Sequence, residues 1–406
     1  MEKIKSTIGN IVSPGPTTER PQEKNVFKPF EERRIPIEDQ FMNWNTMIKA
    51  PYDKDRVDAY TRTRVILMNG IENNSVLTSH AMARMTENEE IKRAMALIRR
   101  ADSQHQETVD WLNPGNQSIL ETTIGYEQVA VDLTANLAKN EPEDYFRQVL
   151  DFALLEDFDH LYRYSLLMKM LENKDAENIV QGKTEIKPGR PTSVEHRHPD
   201  DEHRMHFDKN SVHVKSWMNY FTIVSGEQQT MLYYRTHGAN LEDDLARKLY
   251  AEIAEIEEQH VSQYESVGDP TATPLQMATL IQLNEAYNYY SCAQTEPNER
   301  IRSIWSEFCA HEIEHFNMCN DLMVKYEKMD IRDLIKDDSI EPLIVFEPNK
   351  EYVNKVLEEQ VHLRPYNMKF VPEESLPSDW KSFGYQSKVN AGGVPSEIVE
   401  ERWKVR

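Results

Sequence analysis

The chain has 406 residues, enough for two or three domains, and its 39% hydrophobic and 29% charged residues allow a packed core under a very polar surface. A formal net charge of -22 repels phosphate backbones and anionic membrane surfaces, which argues against nucleic-acid and membrane partners. Three cysteines (Cys292, Cys309, Cys319) form no C-x-x-C pair, which argues against a disulfide framework or a thiolate metal site. No signal-peptide pattern opens the chain and no run approaches the roughly 18 apolar residues of a membrane span, so a cytoplasmic location is expected.

Residues 1–55 read as an N-terminal arm. Pro14, Pro16, Pro21, Pro29 and Pro36 interrupt helix formation, and isolated aromatics suit docking onto a folded body or a neighbouring subunit. Residues 56–175 form a helix-rich block with turn signals at Asn113-Pro114-Gly115 and Glu141-Pro142. Its helical stripes carry acids and imidazoles where apolar residues belong: Glu72; Asp102 and His105 between Ile98 and Val109; Glu127 between Ile124 and Val131; Asp157 and His160 between Ala153 and Tyr164. Residues 176–211 form a connector rich in Gly, Pro and His. Its His196, His198, Asp200, Asp201, His203 and His206 are weaker metal candidates than a solvated linker.

A second helix-rich block spans 212–328, with breaks at Gly268-Asp269-Pro270 and Glu296-Pro297. Its stripes carry Glu227, then Glu257 with His260, then Glu285, then Glu312 with His315. Residues 329–406 have short extended runs at 343–346 and 368–371 and read as a C-terminal arm.

The two blocks repeat one pattern. Glu72 to Asp102 and Glu227 to Glu257 are both 30 residues, and each block has the order acid, acid-x-x-His, acid, acid-x-x-His. Asp102 to Glu127 is 25 residues against 28 for Glu257 to Glu285, which leaves Glu127 the least secure member. An acid and a histidine three residues apart project from one side of a helix. Four such helices bring four carboxylates and two imidazoles together. Buried ion pairs do not explain them, because no Lys or Arg lies in the stripes and unpaired buried carboxylates are very unfavourable. Two cations balance the charge, and carboxylate and imidazole without thiolate suit iron or manganese.

With lone Glu227, Glu257-x-x-His260, lone Glu285 and Glu312-x-x-His315, the second block resembles the ferritin-like di-iron carboxylate superfamily. The first block resembles it more loosely, with Asp in both acid-x-x-His pairs. The resemblance implies an all-α fold of two tandem ferritin-like four-helix bundles with extended N- and C-terminal arms. It also implies two Fe (or Fe/Mn) ions in the second bundle, bridged by Glu257 and Glu312. Glu72, Asp102, His105, Glu127, Asp157 and His160 are expected to form a second site of altered affinity, because an Asp arm is shorter. Glu156 is an alternative to Asp157, and His311 stands outside the ligand set.

The function so implied is a non-haem dinuclear metal oxidoreductase that activates dioxygen or peroxide, an oxidase or oxygenase on a small organic substrate. Its ligand residues would form the catalytic centre, with an external electron donor and homo-oligomerisation through the arms. The alternatives are rubrerythrin-like peroxide scavenging and metal storage. The former lacks an extra Glu near Glu285, where Gln282, Asn288 and Tyr289 stand, and a C-x-x-C electron-donating domain. Tyr233, Tyr234, Tyr264 and Tyr289 fall near the second-block ligands by helical position.

Overall fold

The computed structural model describes residues 26–405. The chain is all-α, with one small antiparallel hairpin among the described residues, β1 (Leu363–Tyr366) and β2 (Lys369–Pro372). Eight long helices carry the body: α1 (Ala59–Met85), α2 (Glu89–Asp110), α3 (Ile119–Lys139), α4 (Asp144–Glu172), α5 (Val214–Gly238), α6 (Asp244–Glu265), α7 (Pro274–Thr295) and α8 (Glu299–Glu327).

The repeat is written into the helix ends. Ser118 and Thr273 cap α3 and α7, each completing a capping box with the side chain three residues on. Each cap hydroxyl also donates to a glutamate at the end of the following helix: Ser118 to Glu172 at 2.7 Å, and Thr273 to Glu327 at 2.8 Å. Beyond these glutamates the chain turns through left-handed residues, Asn173 (φ 52°) and Lys328 (φ 59°). Each block thus ends the same way, as its spacing predicts.

The blocks do not, however, fold as one bundle each. Helices pair as hairpins, α1 with α2, α3 with α4, α5 with α6 and α7 with α8. The rings then close across the repeat. In bundle A, α1 packs on α7 and α2 on α8; in bundle B, α3 packs on α5 and α4 on α6. Each bundle therefore takes one hairpin from each block, and every helix of A has its repeat counterpart in B. The expected boundaries, with a bundle in 56–175 and another in 212–328, are corrected to this interleaved arrangement. The eight-residue connections 111–118 and 266–273 cross between bundles instead of closing one.

Helix α1 lies at the seam of the two bundles. It is buried on most sides and contacts α3, α5 and α7 as well as α2. Close approach depends on glycine. A Cβ at Gly70 would lie 2.5 Å from the Gln229 side chain of α5, and one at Gly125 of α3 would lie 2.9 Å from Ile66 of α1.

The arms lie on this body. Phe27 forms an isolated bridge with Ile340, and Ile35 donates its backbone N–H to Ala310 of α8. Pro14, Pro16 and Pro21 lie outside the described residues. The C-terminal segment is more regular than expected, with helices α9 (Lys350–Gln360), α10 (Lys381–Val389) and α11 (Pro395–Lys404) around the hairpin. Of the two predicted extended runs, residues 343–346 are irregular and buried in part, and Lys369–Pro372 is the strand β2. Helices α9 and α11 pack on α4, so this segment is part of the body. No helix among the described residues is long and apolar enough to cross a membrane.

Candidate metal centres

All twelve predicted ligands are buried, and they converge in two clusters. Cluster A lies in bundle A and joins Glu72 (α1), Asp102 and His105 (α2), Glu285 (α7), and Glu312 and His315 (α8). Cluster B lies in bundle B and joins Glu127 (α3), Asp157 and His160 (α4), Glu227 (α5), and Glu257 and His260 (α6). Donor atoms of Glu72, Asp102, His105 and Glu312 lie within 4.8 Å of one another. So do those of Asp157, Glu227, Glu257 and His260, and those of Glu127, His160 and Glu257. Cluster B thus offers two cation positions that share Glu257. In cluster A, His315 adds its Nδ1 at 3.2 Å from Asp102, and Glu285 lies in the field of Glu312, Asp102 and Glu72.

Three expectations change. Glu257 and Glu312 sit in different clusters, so they do not bridge one pair of ions. The two clusters have the same composition, three Glu, one Asp and two His, because each takes its Asp-x-x-His from the first block and its Glu-x-x-His from the second. The expected first-block site of Glu72, Asp102, His105, Glu127, Asp157 and His160 is therefore divided between the two clusters. Glu156 does not replace Asp157: it turns away, to Arg197 at 2.5 Å and Arg190 at 3.2 Å.

The glutamate of each Glu-x-x-His pair holds the middle of its cluster. Glu257 places one oxygen 3.2 Å from Nδ1 of His160 and the other 3.3 Å from Nδ1 of His260. Glu312 places its oxygens 3.0 Å from Nδ1 of His105 and 2.8 Å from Nδ1 of His315. The flanking imidazoles are near parallel, with centroids 6.3 Å apart in B and 6.0 Å in A.

All four histidines therefore turn Nδ1 inward. Each Nε2 meets a partner outside the cluster: His160 donates to Glu195 at 3.0 Å, His260 to Glu156 at 2.8 Å and His315 to Gln40 at 2.7 Å. His105 lies 2.8 Å from Nδ1 of His311. Such an outward hydrogen bond places the Nε2 proton outside the cluster, so Nδ1 is the nitrogen that can ligate a cation once its own proton leaves.

Sequence reasoning missed Glu195 and Gln40, which come from the connector and the N-terminal arm. The connector contributes Arg190, Glu195 and Arg197, not its histidines. His196 is 3.8 Å from Glu252, His198 caps a short 3-10 turn, and His203 and His206 are exposed. The Pro188-Gly189 turn brings the chain against α4, where a Cβ at Gly189 would meet the Leu155 carbonyl at 2.3 Å. No periodicity marks these residues.

Electrostatics follow the geometry. Burial raises Glu257 and Glu312, but hydrogen bonds and charge from the two flanking imidazoles outweigh it and hold each at about 2. Burial lowers His105 and His315, but the facing carboxylates outweigh it and hold both at about 10. Burial pushes Glu72 up to about 8. Burial raises Glu127, Glu227 and Glu285 well above the ordinary carboxylate range, and neighbouring carboxylates add to it. Without a cation the clusters hold protons in its place.

The donor set fits metal ions on a separate observation. Buried atoms with no hydrogen-bond partner include Oε2 of Glu72, Oδ1 of Asp102, Oε1 of Glu285 and Oε1 of Glu312 in cluster A. In cluster B they include Oε2 of Glu127, both oxygens of Asp157 and Glu227, and Oε2 of Glu257. Unsatisfied buried carboxylate oxygens are rare in folded proteins, and here they concentrate where the twelve side chains converge.

A tyrosine completes each cluster. Tyr289 donates to Oε1 of Glu72, and Tyr234 donates to Oε1 of Glu127 at 2.5 Å. Tyr264 lies beside His260, with ring centroids 6.3 Å apart, whereas Tyr233 lies outside the clusters and lines a surface cleft. Beside cluster A, Met82, Met95, Ile98, Ile281, Gln282 and Ser75 line a cavity of about 10 Å³. Ser75 donates to Asp102 at 2.7 Å and Gln282 to Glu285 at 2.6 Å. Comparison with protein families, with curated proteins and with solved structures finds no match to this chain.

Proposed function

We propose that clusters A and B each hold iron or manganese and that the protein is an oxidoreductase of the ferritin-like di-iron carboxylate type, using dioxygen or peroxide to oxidise a small organic molecule. The observation that carries this reading is the convergence of the twelve side chains: every Nδ1 faces cluster carboxylates, each cluster keeps several buried carboxylate oxygens without a hydrogen-bond partner, and every Nε2 is tied outward. A buried ion-pair network by itself would not leave so many carboxylate oxygens without a partner. Carboxylate and imidazole donors suit iron and manganese, which supply the capacity to move electrons between an organic molecule and an oxygen species.

The chain's own residues have distinct tasks. Glu257 and Glu312 span the paired imidazoles. The lone glutamates and the aspartates supply the remaining negative charge. Phe308 stacks on His105 at 4.1 Å and helps to keep water from cluster A. Tyr234 and Tyr289 hold a proton against one carboxylate oxygen each. The cavity beside cluster A is the size of a single water, which suits a diatomic oxidant and excludes an organic substrate.

The test is metal content per chain with an X-ray absorption edge, on protein produced with iron and manganese supplied. Two ions at cluster B and one or two at cluster A are expected, at the iron or manganese edge. A chain with less than one ion, or with zinc alone, refutes the reading.

A further inference from the structure

A cleft of about 590 Å³ opens between the two bundles, walled by α1, α2, α3 and α5. Its lining lies next to ligand positions in the chain: Asn73 follows Glu72, Gln106 follows His105, and Tyr126 precedes Glu127. Amide side chains form one side, where Gln106 donates to Asn69 at 3.3 Å and Asn69 to Gln229 at 3.1 Å. Three near-parallel rings form the other. Tyr126 and Tyr233 are 4.3 Å apart at 19°, and Tyr233 and His237 are 4.0 Å apart at 20°. Asp110 is the acidic residue of the lining, and no Lys or Arg lines it among the described residues.

This lining selects by chemistry. Without a cation it does not retain a phosphate or carboxylate ligand. Side-chain amides pair with the edges of heterocycles, and aromatic walls favour planar rings. The ring stack also leads inward. Tyr234 lies 6.0 Å from Tyr233 and 6.5 Å from Tyr126, within aromatic contact distance, and its phenol reaches Glu127 of cluster B. Cluster A has no such route, because the ring of Tyr289 meets the buried Trp305 and Phe308.

We propose that this cleft binds an uncharged planar heteroaromatic reductant, of the dihydroflavin or dihydropteridine class, and that Tyr126, Tyr233 and Tyr234 carry its electrons to cluster B. The proposal rests on the reading of cluster B as a metal centre. The reductant loses two electrons and two protons and leaves as the oxidised heterocycle. Trivalent iron or manganese, if held by Glu127, Asp157, His160, Glu227, Glu257 and His260, would supply the acceptor for these two electrons. Electrons pass singly. Each time, Tyr234 gives an electron inward and its phenolic proton to Glu127, then recovers the electron from the Tyr126–Tyr233 stack and the proton from Glu127. The reductant's two protons leave to solvent at the cleft.

Riboflavin, which carries no phosphate, is the probe. Its fluorescence is expected to be quenched saturably by the protein, with or without metal. Tyr233→Leu should weaken that binding about tenfold by removing the middle ring. Asn73→Leu, at a half-buried position on the opposite wall, is a second cleft variant should Tyr233→Leu fail to fold. Tyr234→Phe should retain riboflavin binding and metal content, yet slow anaerobic bleaching of the trivalent-metal absorbance by photoreduced riboflavin about tenfold or more. Absence of saturable quenching overturns the cleft assignment. Bleaching of Tyr234→Phe at the wild-type rate overturns the relay. A chain that holds no metal overturns the relay together with the reading of the clusters, and the riboflavin titration, which needs no metal, separates that failure from failure of the cleft.

Discussion

Replacing Glu257 and Glu312 by Gln, singly and together, tests the interleaved arrangement directly. Each glutamate offers one oxygen to each of two imidazoles, at 3.2 and 3.3 Å for Glu257 and 3.0 and 2.8 Å for Glu312. The Gln side chain keeps the shape but removes the charge and turns an N–H₂ donor toward one cation position. Breaking a buried charge pair by removing one partner costs about 3–5 kcal/mol. That is a factor of roughly 10² to 10⁴ in metal affinity. Glu257→Gln should therefore empty or weaken cluster B and leave cluster A filled, and Glu312→Gln should do the reverse. The clusters share no side chain, so the double variant should lose both, with effects adding to within about 0.5 kcal/mol. The assay is metal content after dialysis, with calorimetric titration of the metal-free proteins. If both single variants lose the same ions, and the second substitution adds nothing to the first, the two glutamates act on one centre and the packing described above is wrong.

Metal binding should release protons and strengthen with pH. At pH 7 cluster A holds protons on His105 and His315, at about 10, and on Glu72, at about 8, and a cation displaces them. In the metal-free chain these groups bind protons more tightly folded than unfolded, so their contribution to stability is lost as pH rises, from about 4.5 to 8 for Glu72 and from about 6.5 to 10 for the histidines. Thermal unfolding with and without chelator should show a gap that widens from pH 6 to pH 9; a constant gap would contradict the assignment. Lys215 is a separate case: burial depresses its ammonium to about 7, opposed by Glu141, and it donates to Tyr287 at 2.5 Å. The folded state then binds fewer protons than the unfolded state between about 7 and 10.5, so stability rises with pH across that window. Lys215→Met should raise the melting temperature most below pH 7 and progressively less toward pH 10, and a pH-independent effect would show that the ammonium is not the cause. Ser118→Ala and Thr273→Ala should each cost about 1 kcal/mol in chemical denaturation. Unequal losses would count against equivalent roles for the two caps.

The helical class, the eight long helices and the twelve buried polar positions were legible because an amphipathic helix declares its buried face by period alone. Glu312 and His315 lie in a stripe with Phe308 and Cys319, and such a stripe has one direction to face. The repeat was equally legible, and the matched contacts of Ser118 with Glu172 and Thr273 with Glu327 bear it out. The C-terminal helices escaped notice because α9, α10 and α11 have only 11, 9 and 10 residues, too short a window for a helical period to stand out.

What the sequence could not determine was which helix each buried face meets. Periodicity fixes the direction of a side chain about its own helix axis and says nothing about the helix across the core. Because the blocks are repeats, each half of one is a chemically adequate partner for the complementary half of the other, and either pairing completes a set of four acids and two histidines. Tertiary packing decided between them, setting α1 and α2 on α7 and α8, and α3 and α4 on α5 and α6. That choice gave each cluster one Asp-x-x-His and one Glu-x-x-His. It also brought in Gln40 and Glu195, whose roles depend on where an arm and a connector come to rest, a matter of three-dimensional contact that no local pattern encodes.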